Sequence, residues 1–293
     1  MNEPITIITC ASWEDRFSEG YARIVSDRAV DSTLVFYFDL FDSWTAEKRA
    51  VVREVAQQRG ITTAEQQLNS RQPAENWKIL QTRIKELVHF NQEVLVDIST
   101  MPRELIWVTF WTLESAGAKV RYVYNCPAEY SPEWLSRDPE RPRLVFKLSG
   151  VARLECKTAL ILVAGYDRQR ATQLMRFFEP EKTCIGLQKG EPFSANAARM
   201  DEQRNLFTGH PAVKLFDVDA FGEDRGYTAL EAEVKLVQAT HNIILSSLGP
   251  KLSAVSIYRL QKQYPQVGIA YATSREFNRE YSKGLGTEFG GQL

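Results

Sequence analysis

The stretch at residues 94–110, VLVDISTMPRELIWVTF, decides the fold. A short apolar run ends at Asp97, the polar turn Ser99-Thr100-Met101 follows, and Pro102-Arg103 opens a second apolar run. The pattern predicts a buried strand, a tight turn and a helix with Pro102 in its first turn, where the missing N–H is harmless. Such a turn aims backbone N–H groups, the positive end of the helix dipole and a cation at one spot, the outline of an anion site. The same unit returns at residues 243–257, IILSSLGPKLSAVSI, with Pro250-Lys251 in place of Pro102-Arg103. The two lie roughly half the chain apart, so an internal repeat is the first expectation.

Working outward, the periodicity alternates between strand and helix. Strands are expected at residues 5–9, 33–39, 61–68, 94–97 and 119–124, then at 158–164, 183–187, 213–218, 243–247 and 267–272. Helices are expected between them, including 45–58 capped by Thr45 and stopped at Gly60, 73–90, and 194–208. Alternation at this spacing implies parallel βαβ units with right-handed crossovers. The expected fold is α/β: two tandem Rossmann-like halves, each a mostly parallel five-stranded sheet with helices on both faces, related by internal duplication. Residues 1–126 form half one, 127–150 a linker ending in an edge strand or hairpin, and 151–293 half two. Repeated segments support the duplication: Asp15-Arg16 against Asp167-Arg168, Pro102-Arg103 against Pro250-Lys251, and EYSPEW at 129–134 against EFNREY at 276–281. The spacing is nearly equal at all three. The closing stretch GLGTEFGGQL, 284–293, has little to bury and is expected to be mobile unless a partner or ligand orders it.

Bulk properties narrow the function. A net charge of -1 argues against nucleic-acid wrapping, so any nucleotide contact must be local. The four cysteines, Cys10, Cys126, Cys156 and Cys184, form no CxxC pair and point with the absent signal peptide to reduced thiols in a cytoplasm. No apolar run reaches the roughly 18–20 residues of a membrane span, so no membrane is expected as a partner. Three scattered histidines make a zinc site or histidine-centred hydrolase a poor fit, and no metal site is expected. GxGxxG, GxxxxGK[ST] and GxSxG are all absent, and no cofactor is expected.

In open parallel sheets ligands bind beyond the carboxyl ends of the strands, where strand order reverses. The repeated polar turns fall there. Ser12, Ser99, Thr100, Ser246 and Ser247 offer hydroxyls, Gly249 permits close backbone approach, and Arg16, Arg103, Arg168 and Lys251 offer cations for phosphate. Trp13 and Tyr166 can stack on bases, and Asp15 and Asp167 can accept from ribose hydroxyls or base amino groups. Each has a simpler role open to it: Asp15-Arg16 and Asp167-Arg168 as caps and ion pairs, the aromatics as packing, Arg103 and Lys251 as solvated charges. Asp97, at the end of a buried strand, and Glu129 are the candidate acid/base groups should the site be catalytic. Asp97 has Leu245 as its counterpart, so the halves differ chemically there.

Taken together, Asp97-Ile98-Ser99-Thr100-Met101-Pro102-Arg103, Ser246-Ser247-Leu248-Gly249-Pro250-Lys251 and the first-strand turns resemble the CRISPR-associated Rossmann fold (CARF) domains. They also resemble their fused two-copy relatives, the SAVED-type sensors of anti-phage systems. The resemblance implies a cyclic oligonucleotide or other nucleotide ligand held across paired halves. Family members commonly carry an effector domain, and no length is left here for one. A separate protein partner carrying the effector activity is then implied, with a homo-oligomer also possible. A ring-nuclease-like enzyme and a structural subunit of a defence complex are the other readings left open.

Overall fold

The structure, a computed structural model, describes residues 4–131, 134–189, 197–208 and 212–293. The chain divides into two compact units, Met1–Pro132 with Arg279–Leu293, and Glu133–Asn278. In chain order the first is built from β1 (Ile5–Cys10), α1 (Asp15–Asp27), β2 (Val30–Phe38), α2 (Asp42–Gln58), β3 (Thr62–Leu68), α3 (Pro73–Leu87), β4 (Glu93–Asp97), α4 (Arg103–Ser115), β5 (Lys119–Asn125) and β6 (Glu129–Tyr130). The second contains β7 (Ser136–Pro139), β8 (Arg143–Leu144), β9 (Lys157–Val163), α5 (Arg168–Phe178), β10 (Lys182–Gln188), α6 (Ala197–Phe207) and β11 (Val213–Val218). It continues with α7 (Tyr227–Val237), β12 (His241–Ser247), α8 (Leu252–Gln263), β13 (Gly268–Tyr271) and β14 (Ser274–Phe277). The chain closes with β15 (Ser282–Lys283) and β16 (Glu288–Gln292), which fold with the first unit.

Each unit carries a six-stranded sheet, ordered β16-β5-β4-β1-β2-β3 in the first and β11-β10-β9-β12-β13-β8 in the second. In both, the five successive strands of the βα run lie parallel in the order 3-2-1-4-5, and a sixth, antiparallel strand pairs with the fifth. The order reverses between the first and fourth strands, so the turns after β1 and β4, and after β9 and β12, stand at the switch points.

Local sequence explains the elements. Every residue of β1 is buried, as a central parallel strand covered on both faces requires. In α1, Phe17, Tyr21, Ile24 and Val25 repeat at helical spacing and are buried as one stripe. α4 is apolar nearly all round, and residues 105–110, 112 and 113 are buried, Trp107 completely. It is therefore held inside the unit rather than laid on its surface.

Several expectations shift. Thr45 is not a cap: α2 begins at Asp42, and the Thr45 hydroxyl donates to the carbonyls of Phe41 and Asp42 one turn back. Gly60 does end that helix, with φ +69°, where a side chain would be strained. Pro102 is the N-cap of α4 rather than a first-turn residue. Of the helix expected over 194–208, residues 194–196 lie outside the described residues, and α6 covers most of the rest. The closing stretch, expected to be mobile, is a strand. β16 runs antiparallel to β5 from Glu288↔Asn125 to Gln292↔Arg121, because the edge of β5 offers a row of N–H and C=O groups to fill. Within 127–150, β8 is the expected edge strand, pairing Leu144 with Ala270.

The switch-point turns of the second unit are pressed together. A Cβ on Gly165 would stand 1.8 Å from the carbonyl oxygen of Leu248, and one on Gly249 would stand 2.8 Å from that of Ala164. Gly165→Ala must push two backbones apart, at a cost of about 1–3 kcal/mol. A lowered midpoint in thermal unfolding followed by circular dichroism checks this; an unchanged midpoint contradicts the close approach.

Candidate functional site

At the first switch point the chain leaves β1 through Ser12-Trp13-Glu14-Asp15-Arg16. Glu14 is buried, which an ionised carboxylate tolerates only when fully partnered. Its Oε2 accepts from Arg16 Nε at 2.7 Å and Ser282 Oγ at 2.6 Å, and its Oε1 accepts from Tyr281 Oη at 2.8 Å. Arg16 is 2% exposed and spends its other nitrogens on Tyr124 Oη, the Asn125 carbonyl and Tyr281 Oη. Burial opposes the Arg16 charge, yet the Glu14 carboxylate holds its pKa well above the ordinary arginine value. Burial of the Tyr281 hydroxyl, reinforced by Glu14, pushes its pKa far up, so it remains a donor to that carboxylate. Arg16 is thus a clamp within the unit, the simpler of the two roles its sequence left open.

The second unit repeats this arrangement. Asp167, buried, caps α5 by accepting from Arg170 N at 3.0 Å. Its Oδ2 accepts from Arg170 Nε at 2.8 Å and from Ser136 Oγ at 2.5 Å. Arg170 then reaches the Ala272 carbonyl just past β13, as Arg16 reaches the Asn125 carbonyl at the end of β5. Carboxylate, arginine Nε, ribbon serine and fifth-strand carbonyl recur in both units. The two ribbons are β15 with β6, and β14 with β7.

Glu14 and Arg170 were not singled out by sequence reasoning, which matched Asp15-Arg16 with Asp167-Arg168. The structure pairs by role Glu14 with Asp167 and Arg16 with Arg170. The signal that could have found Arg170 is the Asp-x-x-Arg spacing, which sets an N-cap carboxylate beside the N3 side chain. Asp15 instead accepts from Lys48 Nζ at 2.9 Å and the Gly284 N–H at 3.1 Å, and these bonds lower its pKa. Arg168 is exposed and pairs with Glu202. Ser12 closes a small turn on Glu14, its hydroxyl accepting from Glu14 N at 3.3 Å. Trp13 packs edge-on against Phe41 and Trp44, with centroids 5.3 and 5.2 Å away.

At the β4 turn, Asp97 is fully buried. It accepts from Thr9 Oγ1 at 3.1 Å and from Ser99 N at 2.9 Å, an Asx turn that shapes the exit from the strand. Ser99 Oγ accepts from Asn125 N at 2.8 Å, and Thr100 Oγ1 donates to the Cys10 carbonyl at 2.7 Å. These bonds stitch β1, β4 and β5 together at their carboxyl ends. Glu129, the other acid/base candidate, is exposed on the β6 ribbon, so the two carboxylates sit in unlike environments. At the β12 turn, Ser246 Oγ donates to the Ala270 carbonyl, Ser247 Oγ lies 2.6 Å from Ser253 Oγ, and Gly249 serves the close approach to Ala164. Tyr166 is partly buried beside Asp167.

The two following helices start beside these turns. α4 begins at Arg103 and α8 follows Lys251, and neither helix has its first N–H groups capped by the side chain of its N-cap residue. Arg103 and Lys251 are both partly exposed. Among the described residues no cluster of three or more His, Cys, Asp or Glu could hold a metal ion, and no helix is long and apolar enough to cross a membrane.

Fold and site define an α/β protein with a Rossmann-like sheet in each unit and a basic residue at the helix start of each switch point. No protein-family model matches the chain, and no curated protein matches its sequence.

Two outcomes check this geometry. Arg16→Ala leaves Glu14 buried without its cation and should cost about 3–5 kcal/mol in urea unfolding, whereas Arg168→Ala, an exposed pair, should cost no more than about 1 kcal/mol. Equal effects would contradict the buried clamp. Burial also raises the Cys126 thiol to about 11 and the Cys184 thiol to about 12. Cys10 is buried as well, so iodoacetamide at mildly alkaline pH should modify Cys156 first, as read by peptide mapping.

Proposed function

We propose that this chain is a nucleotide-binding regulatory protein of the CARF/SAVED kind. Its ligand is a cyclic oligonucleotide or related nucleotide, and its place is a prokaryotic anti-phage defence system, where a separate protein supplies the effector activity. The observation that carries the reading is the doubled switch point: in each 3-2-1-4-5 sheet a basic residue stands at the start of a helix whose N-cap residue makes no side-chain capping bond. A phosphate at such a helix start receives backbone donors, the helix dipole and a guanidinium or ammonium together.

Internal duplication is part of the same proposal. It is supported by the shared strand order and by the recurring clamp, in which Glu14, Arg16 and Ser282 match Asp167, Arg170 and Ser136. The binding residues are then Arg103 and Lys251 with the backbone at the two helix starts. The serines, threonine and aspartates around them act by holding the turns in shape.

Isothermal titration against cyclic oligonucleotides and mononucleotides tests the proposal. Binding that falls at least about tenfold in both Arg103→Ala and Lys251→Ala, a loss of about 1.4 kcal/mol each, is the expected result. No binding, or binding indifferent to both substitutions, overturns it.

A further inference from the structure

The segment that closes the first unit has an unusual relation to the chain that carries it. β15 and β16 complete the β6 ribbon and the β5 edge, yet they follow the last strand of the second unit. The unit boundary falls between Asn278 and Arg279, inside the short connection from β14 to β15. The second unit is completed in the same manner. β7 brings Ser136 to Asp167 and β8 covers the edge of β13, and both follow β6, past the boundary after Pro132. Each sheet therefore receives its ribbon serine and its antiparallel edge strand from beyond the other sheet's fifth parallel strand.

The forces holding residues 279–293 do not read chain continuity. They are a backbone ladder, extended by Cys126 N to the Thr287 carbonyl at 3.0 Å and Leu293 N to the Val120 carbonyl at 3.0 Å, and polar side-chain bonds. Arg28 bonds Glu288 at 2.5 Å, Arg23 donates to the Gly286 carbonyl at 2.8 Å, and Tyr281 and Ser282 hold Glu14. Of these fifteen positions only Ser282 is buried, so no core side chain anchors the segment. A strand fixed this way opens more readily than the core, and an identical strand from elsewhere re-forms every bond.

We propose that residues 279–293 are an exchangeable strand, and that the β5 edge and Glu14–Arg16 clamp of one molecule accept this segment from a second copy of the chain. In the exchanged form the partner copy supplies the Tyr281 and Ser282 hydroxyls to the clamp. Reciprocal exchange closes the pair, since each molecule donates one strand and receives one, with no net loss of bonds. The short connector at Asn278 favours the exchange, because the segment cannot easily fold back alone once the connector has straightened. This inference stands apart from the nucleotide reading and survives its failure.

Cysteine pairs across the ladder give the test, using the register Gln292↔Arg121. Full-length Arg121→Cys and Gln292→Cys variants are mixed at high concentration and oxidised, and disulfides are mapped by mass spectrometry. A heterodimer linked between positions 121 and 292, increasing with concentration and incubation time, is expected. Adding Tyr281→Phe and Ser282→Ala to the Gln292→Cys chain should reduce its yield several-fold. The double variant Arg121→Cys/Gln292→Cys, kept dilute, should close within one chain. Internal closure without any mixed heterodimer overturns the proposal. So does a heterodimer yield that ignores the Tyr281 and Ser282 substitutions, because collision alone would then explain it. A double variant that never closes overturns it too, by removing the segment from β5.

Discussion

The contact on which the first unit depends is the buried ion pair of Glu14 and Arg16. A carboxylate and a guanidinium taken out of water lose several kcal/mol of solvation each, and their attraction offsets this only when the remaining donors and acceptors are also satisfied. Here they are: Tyr281 and Ser282 fill the carboxylate, and Asn125, Tyr124 and Tyr281 fill the guanidinium. That need ties four separate pieces of chain to one point: the turn after β1, the end of β5, the β6 ribbon through stacked Tyr130 and Tyr281, and the closing segment. Remove one and a charge is left buried and short of a partner.

The same constraint governs what the switch point can offer a ligand. Parallel strands end in carbonyls and N–H groups that must find partners, and the polar residues of the first, fourth and fifth turns are consumed in doing so. Asp97, Ser99 and Thr100 bind the ends of β1, β4 and β5 to one another, while Ser246 and Ser247 form comparable bonds at the end of β12. The hydroxyls and carboxylates that resemble a ligand cradle in sequence are largely structural. The cations a few residues further on, Arg103 and Lys251 at the helix starts, carry the recognition chemistry in the proposed function.

Much of the fold was legible because its signals are local. The strand runs at 5–9 and 158–164 are rich in apolar and β-branched residues, the α1 stripe of Phe17, Tyr21, Ile24 and Val25 has one period, and Gly60 marks the stop of α2 by the φ it must adopt. The candidate site was legible in outline, since it follows from where strand order reverses. Its internal pairing was not. Asp15-Arg16 and Asp167-Arg168 match letter for letter, but which carboxylate turns inward depends on the first helical turn and on a serine arriving from far along the chain. In one unit that carboxylate is Glu14, and in the other it is Asp167.

The amino-acid sequence by itself determined the alternation of strands and helices, the parallel sheets it implies and the placing of polar turns at strand ends, because periodicity and turn chemistry act over a few residues. Only the tertiary structure decided what the closing segment does. GLGTEFGGQL has no core to join and no strong strand signal of its own. It becomes a strand because β5 presents an unfilled edge and because Glu14 and Arg16, once buried, need the hydroxyls of Tyr281 and Ser282.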